Sequence, residues 1–321
     1  MSSERPTSAA PAPAVSVIIP AYGVAQYIAG TLDSVFAQTY RDFEIIVVND
    51  GCQDSVALEA ALRPYRERIV YIRKENGGVS SARNAGIRAA RAPLIALLDG
   101  DDVWVPRFLA IQTRYLRFHR RTDVVYSDGL IFGDTPANGR RITDLSPSRG
   151  DVTFESLVSC RCCVILSSVV ARKAAILRVA GFDENLKHAE DFDLWVRAAH
   201  AGVRISYHGG LLLRYRRRET GLSAQSVAMR EAGLRVLDKL ERTLQLSPAE
   251  IAALASARQA FRADVSYYRL KDALKRRDAP AALAAARDLL RLRRSVKFVS
   301  LALALRCAPR LAMRVAHWRD R

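Results

Sequence analysis

The chain has 321 residues, of which 50% are hydrophobic and 26% are charged. This composition is that of a globular protein with one large or two modest domains, and it excludes a disordered, collagen-like or coiled-coil chain as an overall description. The net charge of +17 is uneven, because residues 1–220 carry 29 basic and 24 acidic side chains whereas residues 221–321 carry 21 and 9. We therefore expect an ordinary folded domain followed by a cationic segment.

The first residues are rich in Pro, Ala and Ser, which predicts a disordered leader over residues 1–13. Prolines at positions 6, 11, 13 and 20 exclude a membrane helix there, and the start lacks the basic, compactly apolar pattern of a signal peptide. Five cysteines are too few for a disulfide scaffold, so we expect a cytoplasmic protein. Cys160 and Cys163 form a single CxxC spacing, for which small buried side chains are favoured over a metal or redox role.

Short apolar runs alternate with amphipathic stretches from Val15 onward. This alternation predicts βαβ units and a mostly parallel sheet. The predicted strands are Val15–Ile19, Phe43–Val48, Ile69–Ile72, Leu94–Leu98 and Val124–Ser127. The predicted helices are Val24–Ala37, Ser55–Tyr65, Val79–Ala90, Pro106–His119 and Glu190–Ala201. Residues 129–150 are polar and predict a loop or hairpin, and His208 is predicted to follow a strand over Val203–Tyr207.

Distinctive residues follow the ends of these strands, where open α/β sheets bind ligands. They are Pro20-Ala21-Tyr22, then Asn49-Asp50-Gly51, then a double glycine leading to Arg83, and then Asp99-Gly100-Asp101-Asp102. One rim of the sheet is therefore expected to gather an aromatic ring, several acids and an arginine.

The run Asp99-Gly100-Asp101-Asp102 places three carboxylates in four residues, which repel each other unless a cation is present. Mg²⁺ prefers oxygen ligands and usually completes its shell with substrate phosphates. Gly100 would let the backbone approach a bulky ligand. The alternative is a solvated, helix-capping cluster before Pro106, and this motif alone does not decide between the two.

Several other residues are ambiguous when each is considered singly. Glu190-Asp191 at a helix start is typical of dipole stabilisation, although a carboxylate there could also act as a general base. Tyr22 could stack on a nucleobase and Asp50 could accept hydrogen bonds from a pyrimidine edge, but structural roles are the more common ones. His208 could be a third metal ligand, and the alternative is a structural histidine.

Several segments, taken in order, resemble family 2 glycosyltransferases of the GT-A fold. They are Val15–Ser55 (beginning VSVIIPAYG), ENGGVSSARNAGI (Glu75–Ile87), LLDGDDVW (Leu97–Trp104) and GFDENLKHAEDFDLWVRAA (Gly181–Ala199). The resemblance covers about residues 14–220, which gives a GT-A domain there and a basic α-helical extension over residues 221–321. It implies a Rossmann-like mixed sheet flanked by helices.

The resemblance also implies a role for each matching position. Pro20, Ala21 and Tyr22 would line the nucleotide pocket, Asp50 would contact the base, usually uracil, and Arg83 would lie near the nucleotide. Asp99 and Gly100 would lie beside the ribose or diphosphate. Asp99 and Asp101 would form the DXD motif and hold Mg²⁺ or Mn²⁺. Asp191 would deprotonate the acceptor hydroxyl, and Glu190 and Trp195 would shape the acceptor site. Apart from the resemblance, His188 lies three residues before Asp191 and could contact the acceptor.

These expectations describe an inverting transfer of a sugar from a nucleotide-diphosphate sugar to a glycan or lipid-linked acceptor, as in envelope polysaccharide or glycolipid synthesis. Three positions depart from the family's common pattern: Gly23 stands where Asn is common, Asn49 where Asp is common and Cys52 where Ser is common. These departures bear on donor preference. Processive synthases of this family carry a QxxRW-type segment and membrane helices, and neither is found in this sequence. We therefore expect one or a few sugars to be added per encounter.

Two other classes of function compete with this interpretation. A nucleotidyltransferase would favour a basic phosphate-gripping loop after the first strand, and residues 20–30 contain no Lys or Arg. The intact Asp99, Asp101 and Asp191 argue against a non-catalytic binding module that kept the pocket, and a nucleic-acid-binding protein would rest only on charge. For the basic extension, a helical bundle packed on the domain competes with contact to an anionic membrane at the inner face of the plasma membrane, and no nucleic-acid partner is expected.

Overall fold

The computed structural model describes residues 11–217, 226–293 and 296–307, so most of the predicted leader lies outside the described residues. These residues form an eight-stranded mixed sheet flanked by helices, as predicted. The strands are β1 (Val15–Ala21), β2 (Phe43–Asp50), β3 (Val70–Lys74), β4 (Leu94–Leu97), β5 (Val103–Trp104), β6 (Val124–Phe132), β7 (Val170–Arg172) and β8 (Ile205–Arg216).

The helices are α1 (Ile28–Phe36), α2 (Ser55–Leu62), α3 (Gly78–Ala89), α4 (Phe108–Phe118), α5 (Phe154–Val158), α6 (Lys173–Arg178), α7 (Glu190–His200), α8 (Ser226–Thr243), α9 (Pro248–Lys275), α10 (Ala279–Leu292) and α11 (Val296–Cys307). Short 3₁₀ turns occupy Arg63–Arg68, Ile142–Asp144 and Leu166–Ser168. Within the described ranges, no helix is both long and apolar enough to cross a bilayer.

The sheet has the strand order β3-β2-β1-β4-β7-β6-β8-β5. Strands β3, β2, β1 and β4 run parallel, β7 is antiparallel to both of its neighbours, and β6 and β8 are again parallel. The carboxyl ends of β1, β2 and β4 therefore share one edge, because parallel strands end on the same side.

Apolar residues on both faces explain why β1 lies in the middle of the sheet. Ile18 packs into one hydrophobic cluster with α3, α5, α7, α8 and the first half of α9, while Val17 and Ile19 pack into another with α1, α2 and α4. Successive side chains of a strand point to opposite faces, so a continuous apolar run fits a sheet that is covered on both sides.

The five predicted strands and the five predicted helices are all present, with shifted ends. Helix α1 begins at Ile28 instead of Val24, because residues 24–27 form a turn. The prediction for His208 was wrong, since this residue lies inside β8 and pairs with Ser127. Residues 129–150 were predicted to form a loop or a hairpin. In the structure β6 continues to Phe132, and an isolated bridge from Leu130 to Arg141 closes a hairpin.

Two of the C-terminal helices, α9 and α10, begin directly after residues whose side chains cap them. Ser247 and Glu250 form a reciprocal capping box ahead of Pro248, and the Asp278 side chain caps α10 ahead of Pro280. Val236 and Leu237 of α8 belong to the same buried cluster as Ile18 of the central strand. The packing is therefore continuous across the predicted domain boundary at residue 220, and that boundary stays a prediction.

Candidate functional site

The predicted rim exists at the carboxyl ends of β1, β2 and β4. The side chain of Tyr22, directly after β1, is 49% exposed, as a ring that stacks on a ligand requires. Pro20 and Ala21 are buried within β1, and their place in a nucleotide pocket stays a prediction. A Cβ on Gly100 would lie 2.9 Å from Cγ2 of Val24, so contact with the protein explains this glycine.

Asp50 is buried at the end of β2 and is held by two donors. Its Oδ1 accepts hydrogen bonds from Nζ of Lys74 at 2.7 Å and from the backbone N–H of Gly77 at 3.0 Å. Lys74, which ends β3 and is the register partner of Asp50, was not among the residues predicted from the sequence. The ion pair fixes the carboxylate, so that any hydrogen bond from Asp50 to a ligand would have a set direction.

The three acids after β4 have different environments. Asp99 is partly exposed and its backbone N–H donates to Oγ of Ser167 at 3.1 Å, a contact that the sequence analysis also missed. Asp102 is buried, and its Oδ1 accepts the backbone N–H of Arg216 at 2.7 Å. Burial, with the charge of Asp101 nearby, raises the pKa of Asp102 well above its ordinary value. Asp102 is therefore a structural anchor for the end of β8.

Arg216 links β8 to the same acid run. Its Nε donates to the backbone carbonyl of Asp101 at 3.0 Å, and its guanidinium lies 4.5 Å from the ring centre of Tyr27 and 4.2 Å from that of Phe132. Two aromatic faces and two backbone contacts hold this segment in place, and Asp99 and Asp101 within it are partly exposed.

On the acceptor side, α7 begins with the predicted acid pair. Ala189, the residue before α7, has a left-handed backbone with φ of 59°, which costs a non-glycine residue about 1 kcal/mol. Within the first turn of α7, Oδ1 of Asp191 accepts a hydrogen bond from the backbone N–H of Phe192 at 2.7 Å. Burial, and then the charge of Glu190, raise the pKa of Asp191 to about 6.

Arg83 joins the two sides of the site. This side chain is 4% exposed, and it donates to Oδ1 of Asp99 at 2.7 Å and to Oε1 of Glu190 at 2.8 Å. The neighbouring Asn84, another residue that sequence reasoning missed, hydrogen bonds with the backbone of Phe182 ahead of α7. The donor-side acids and the acceptor-side acids therefore meet at one buried guanidinium, which the sequence analysis had placed near the nucleotide.

The remaining predicted site residues have less decisive contacts. Nδ1 of His188 and Nε1 of Trp195 are buried without a hydrogen-bond partner. Trp195 is fully buried in the cluster that packs against the sheet, so its role in the acceptor site stays a prediction. His208 bonds through Nε2 to Gln112 at 2.9 Å and accepts the N–H of Gly210 at Nδ1, contacts that support the structural role weighed against a metal role.

The donor chemistry of the rim suits a hard divalent cation. Asp99 and Asp101 offer partly exposed carboxylates, and Mg²⁺ or Mn²⁺ commonly binds one or two such groups together with substrate phosphates. Among the described residues, no group of three His, Cys, Asp or Glu side chains is placed to hold a metal by itself. The residues therefore fit an ion whose coordination is completed by a ligand, such as a diphosphate.

Comparison with known proteins finds similar sequences among glycosyltransferases. Residues 16–170 match the family model described as Glycosyl transferase family 2. An uncharacterized glycosyltransferase of Rickettsia prowazekii is 33% identical over 192 residues, which are 58% of this chain and 58% of that protein. The chain thus spans little more than half the length of that relative. An uncharacterized glycosyltransferase of Methanocaldococcus jannaschii is 28% identical over 64% of this chain and 71% of its own length.

Solved structures share the fold at low sequence identity. The S. aureus TarS fragment 1–349, in complex with UDP-GlcNAc, superposes with a TM-score of 0.62 at 18% identity, covering 96% of this chain and 92% of that one. The mannosyltransferase PcManGT from Pyrobaculum calidifontis, in complex with GDP-Man and Mn²⁺, gives a TM-score of 0.60 at 20% identity, covering 97% and 88%. The fold is therefore that of the GT-A glycosyltransferases.

Proposed function

Since this chain belongs to the family 2 glycosyltransferases through its residues 16–170, we propose that it transfers a sugar from a nucleotide-diphosphate sugar to an acceptor hydroxyl with inversion. The observation that carries the proposal is the ion pairing of Arg83 with both Asp99 and Glu190. A displacement reaction needs the leaving group and the base on opposite sides of one reacting carbon. Arg83 holds Asp99 of the donor side and Glu190, the neighbour of the proposed base, at one guanidinium, and this closeness supports such an arrangement.

The donor side fits a nucleotide. The exposed ring of Tyr22 offers a face for the base, and the fixed carboxylate of Asp50 offers an acceptor for an N–H on its edge. The structural neighbours were solved with UDP-GlcNAc and with GDP-Man, and both ligands are nucleotide-diphosphate sugars. We assign UDP-sugar as the donor class because the match of Asp50 to the uracil-contacting position of the family supports it.

Asp99 and Asp101 would hold the divalent ion, Mg²⁺ or Mn²⁺, on the diphosphate side. Such an ion, when bound, would neutralise the negative charge that develops on the departing diphosphate. The protein's own part is to hold these carboxylates in place, through Arg83 on Asp99 and through Arg216 on the backbone of Asp101.

Asp191 would act as the general base. Its carboxylate takes the proton of the acceptor hydroxyl while that oxygen attacks the anomeric carbon, and the diphosphate leaves from the opposite face. Because burial raises the pKa of Asp191 to about 6, the group is a stronger base than an exposed aspartate and is still ionised at neutral pH. A single displacement inverts the anomeric configuration. The acceptor site would be lined by His188, Glu190 and Trp195.

Ligand-dependent thermal stability tests the donor and metal assignments together. We expect UDP with Mn²⁺ to raise the melting temperature, and UDP with a chelator or duplex DNA to leave it nearly unchanged, because a ligand that binds the folded state stabilises it by mass action. In Asp101→Asn the Mn²⁺-dependent part of the shift should be lost, whereas Asp151→Asn, an exposed acid outside the rim, should keep it. Stabilisation by DNA alone would overturn the proposal.

We further propose that the basic extension contacts an anionic membrane surface, which would suit a lipid-linked or envelope-glycan acceptor. Arg287 and Arg291 are exposed one turn apart on α10. Val299 and Leu303 of α11 are exposed at the same spacing. Exposed cations beside exposed apolar side chains are what binding at an anionic lipid interface requires.

Vesicle binding tests this surface. A lysine or arginine near an anionic bilayer contributes about 1 kcal/mol, so Arg287→Gln with Arg291→Gln should weaken binding to phosphatidylglycerol-containing vesicles by roughly 30-fold. The matched control is Arg120→Gln with Arg121→Gln, which removes two exposed charges between α4 and β6. Equal weakening by the two pairs would show attraction by net charge and would contradict a defined docking face.

A further inference from the structure

Two cysteines that the proposed reaction does not use lie beside the acceptor side of the site. Cys160 and Cys163 are partly exposed free thiols in the turn that follows α5, and Sγ of Cys163 lies 3.8 Å from the carbonyl oxygen of Cys160. Cys160 has a left-handed backbone with φ of 54°, an arrangement that costs about 1–3 kcal/mol in a residue with a side chain. The turn is therefore held in a specific, unfavourable shape, with the sulfur of Cys163 against the backbone of Cys160.

The surroundings of the pair favour a reactive thiolate. A hydrogen bond from the Cys163 thiol, assisted by the charge of Arg230 on α8, lowers the pKa of Cys160 below its ordinary value. The same hydrogen bond, burial and the negative charges of Cys160 and Asp191 raise the pKa of Cys163. One sulfur is thus prepared as the nucleophile and the other stays protonated, which is the division of roles in a dithiol that closes to a disulfide.

The other described cysteines lack this arrangement. Cys162 is fully buried, and its sulfur lies 3.4 Å from the backbone carbonyl oxygen of Arg149. Cys52 is buried beside Asp54 and accepts the backbone N–H of Gly23. Cys307 is exposed at the end of α11. Proximity of two thiols, partial exposure and a neighbouring cation therefore coincide at Cys160 and Cys163.

Contacts lead from this pair to the proposed base. The guanidinium of Arg230 lies 5.5 Å from the ring centre of Phe261, and Phe261 stacks on Phe192 with centroids 5.9 Å apart. The backbone N–H of Phe192 donates to Asp191 at 2.7 Å. Oxidation of the Cys160 thiolate would remove its negative charge. Arg230, at one end of this series of contacts, would then lose one of its charge partners.

We propose that Cys160 and Cys163 form a redox-active pair that a peroxide converts to an intramolecular disulfide, and that the disulfide slows transfer by disturbing the position of Asp191. The Cys160 thiolate attacks a peroxide oxygen, breaks the O–O bond and becomes a sulfenic acid. Cys163 then attacks that sulfur, the S–S bond forms, and its proton leaves with the sulfenic oxygen as water. Overall the two thiols lose two electrons and two protons, and hydrogen peroxide is reduced to two waters. The effect on transfer rests on the proposed function, whereas the thiol chemistry does not.

Peptide mapping after oxidation tests the pair in a Cys307→Ser background, which removes an exposed thiol. Trypsin cuts after Arg161, so a disulfide from Cys160 to Cys163 joins two tryptic peptides that separate on reduction. We expect this linked pair after treatment with hydrogen peroxide, its loss in Cys160→Ser and in Cys163→Ser, and its persistence in Cys162→Ser. Absence of the linkage, or its persistence in Cys163→Ser through Cys162, would overturn the proposal.

Activity measurements test the second half. Peroxide should slow transfer at least fivefold in the Cys307→Ser protein and dithiothreitol should restore it, while Cys160→Ser should resist the same treatment. Equal sensitivity of Cys160→Ser would overturn the link to Asp191. If the reduced protein transferred no sugar but the linked peptides still formed, the proposed function would fail while the thiol chemistry stood, so the two failures are distinguishable.

Discussion

Replacing Asp191 with asparagine is expected to reduce sugar transfer by about 10²–10⁴-fold while leaving binding of the nucleotide donor within about twofold of the unaltered protein. The amide cannot accept the hydroxyl proton, yet it keeps the size of the side chain. Folding should not suffer, because a raised pKa means that the ionised form is disfavoured where it is buried. Radiolabelled sugar transfer measures the loss, and a thermal shift with the nucleotide checks the binding.

The matched control is Glu184→Gln, which neutralises an exposed carboxylate in the segment just before α7. It should transfer sugar at close to the unaltered rate. The pH dependence supplies a second check, because a base works only when deprotonated. Below about pH 6, transfer by the unaltered protein should fall about tenfold for each pH unit, and the residual rate of Asp191→Asn should not show this limb. Normal transfer by Asp191→Asn would show that another group takes the proton.

Replacing Arg83 with methionine is expected to lower the free energy of unfolding by about 3–5 kcal/mol, because it leaves two carboxylates near each other in a largely buried place. The Arg83 side chain is 4% exposed, and its partners Asp99 and Glu190 are 32% and 12% exposed. Urea denaturation measures the change. Arg83→Lys keeps the charge but not the two-pronged reach, so its loss should be smaller.

A second arginine on the same helix gives the control for this prediction. Arg88 lies 3.8 Å from Glu184, with both side chains well exposed, so Arg88→Met should cost less than about 1 kcal/mol. Losses of similar size in Arg83→Met and Arg88→Met would contradict a buried bridge between the two sides of the site. The comparison separates burial from charge, because each variant removes one cation from α3.

The sequence predicted the strands that come early in the chain because each is a short apolar run bounded by turn residues. It ended β8 too early, at Tyr207, because Gly209 and Gly210 interrupt the apolar pattern. The structure accommodates them as an irregularity, since Ser127 pairs with His208 and the next residue, Asp128, pairs with Leu211. A bulge of this kind depends on the neighbouring strand, which local patterning does not specify.

The sequence predicted which residues belong to the candidate site, but only some of the contacts between them. Strand ends gather at one rim by topology alone, so Tyr22, Asp50 and Asp99 could be placed together. The partners of Arg83 could not be found from spacing, because Glu190 is 107 residues further along the chain. The support of Asp50 by Lys74 needed the register between β2 and β3, which depends on how the strands pair.

Helix α9 bears on the proposed contact with a membrane surface. Its 28 residues run from the cluster that contains Leu254, against the sheet, to the separate cluster that contains Leu270, with α10 and α11. An unbroken helix of this length is about 42 Å long and acts as a stiff rod. A surface held by the far end of that rod would therefore stand at a set height from Asp191, and acceptors would be selected by how far their hydroxyl projects.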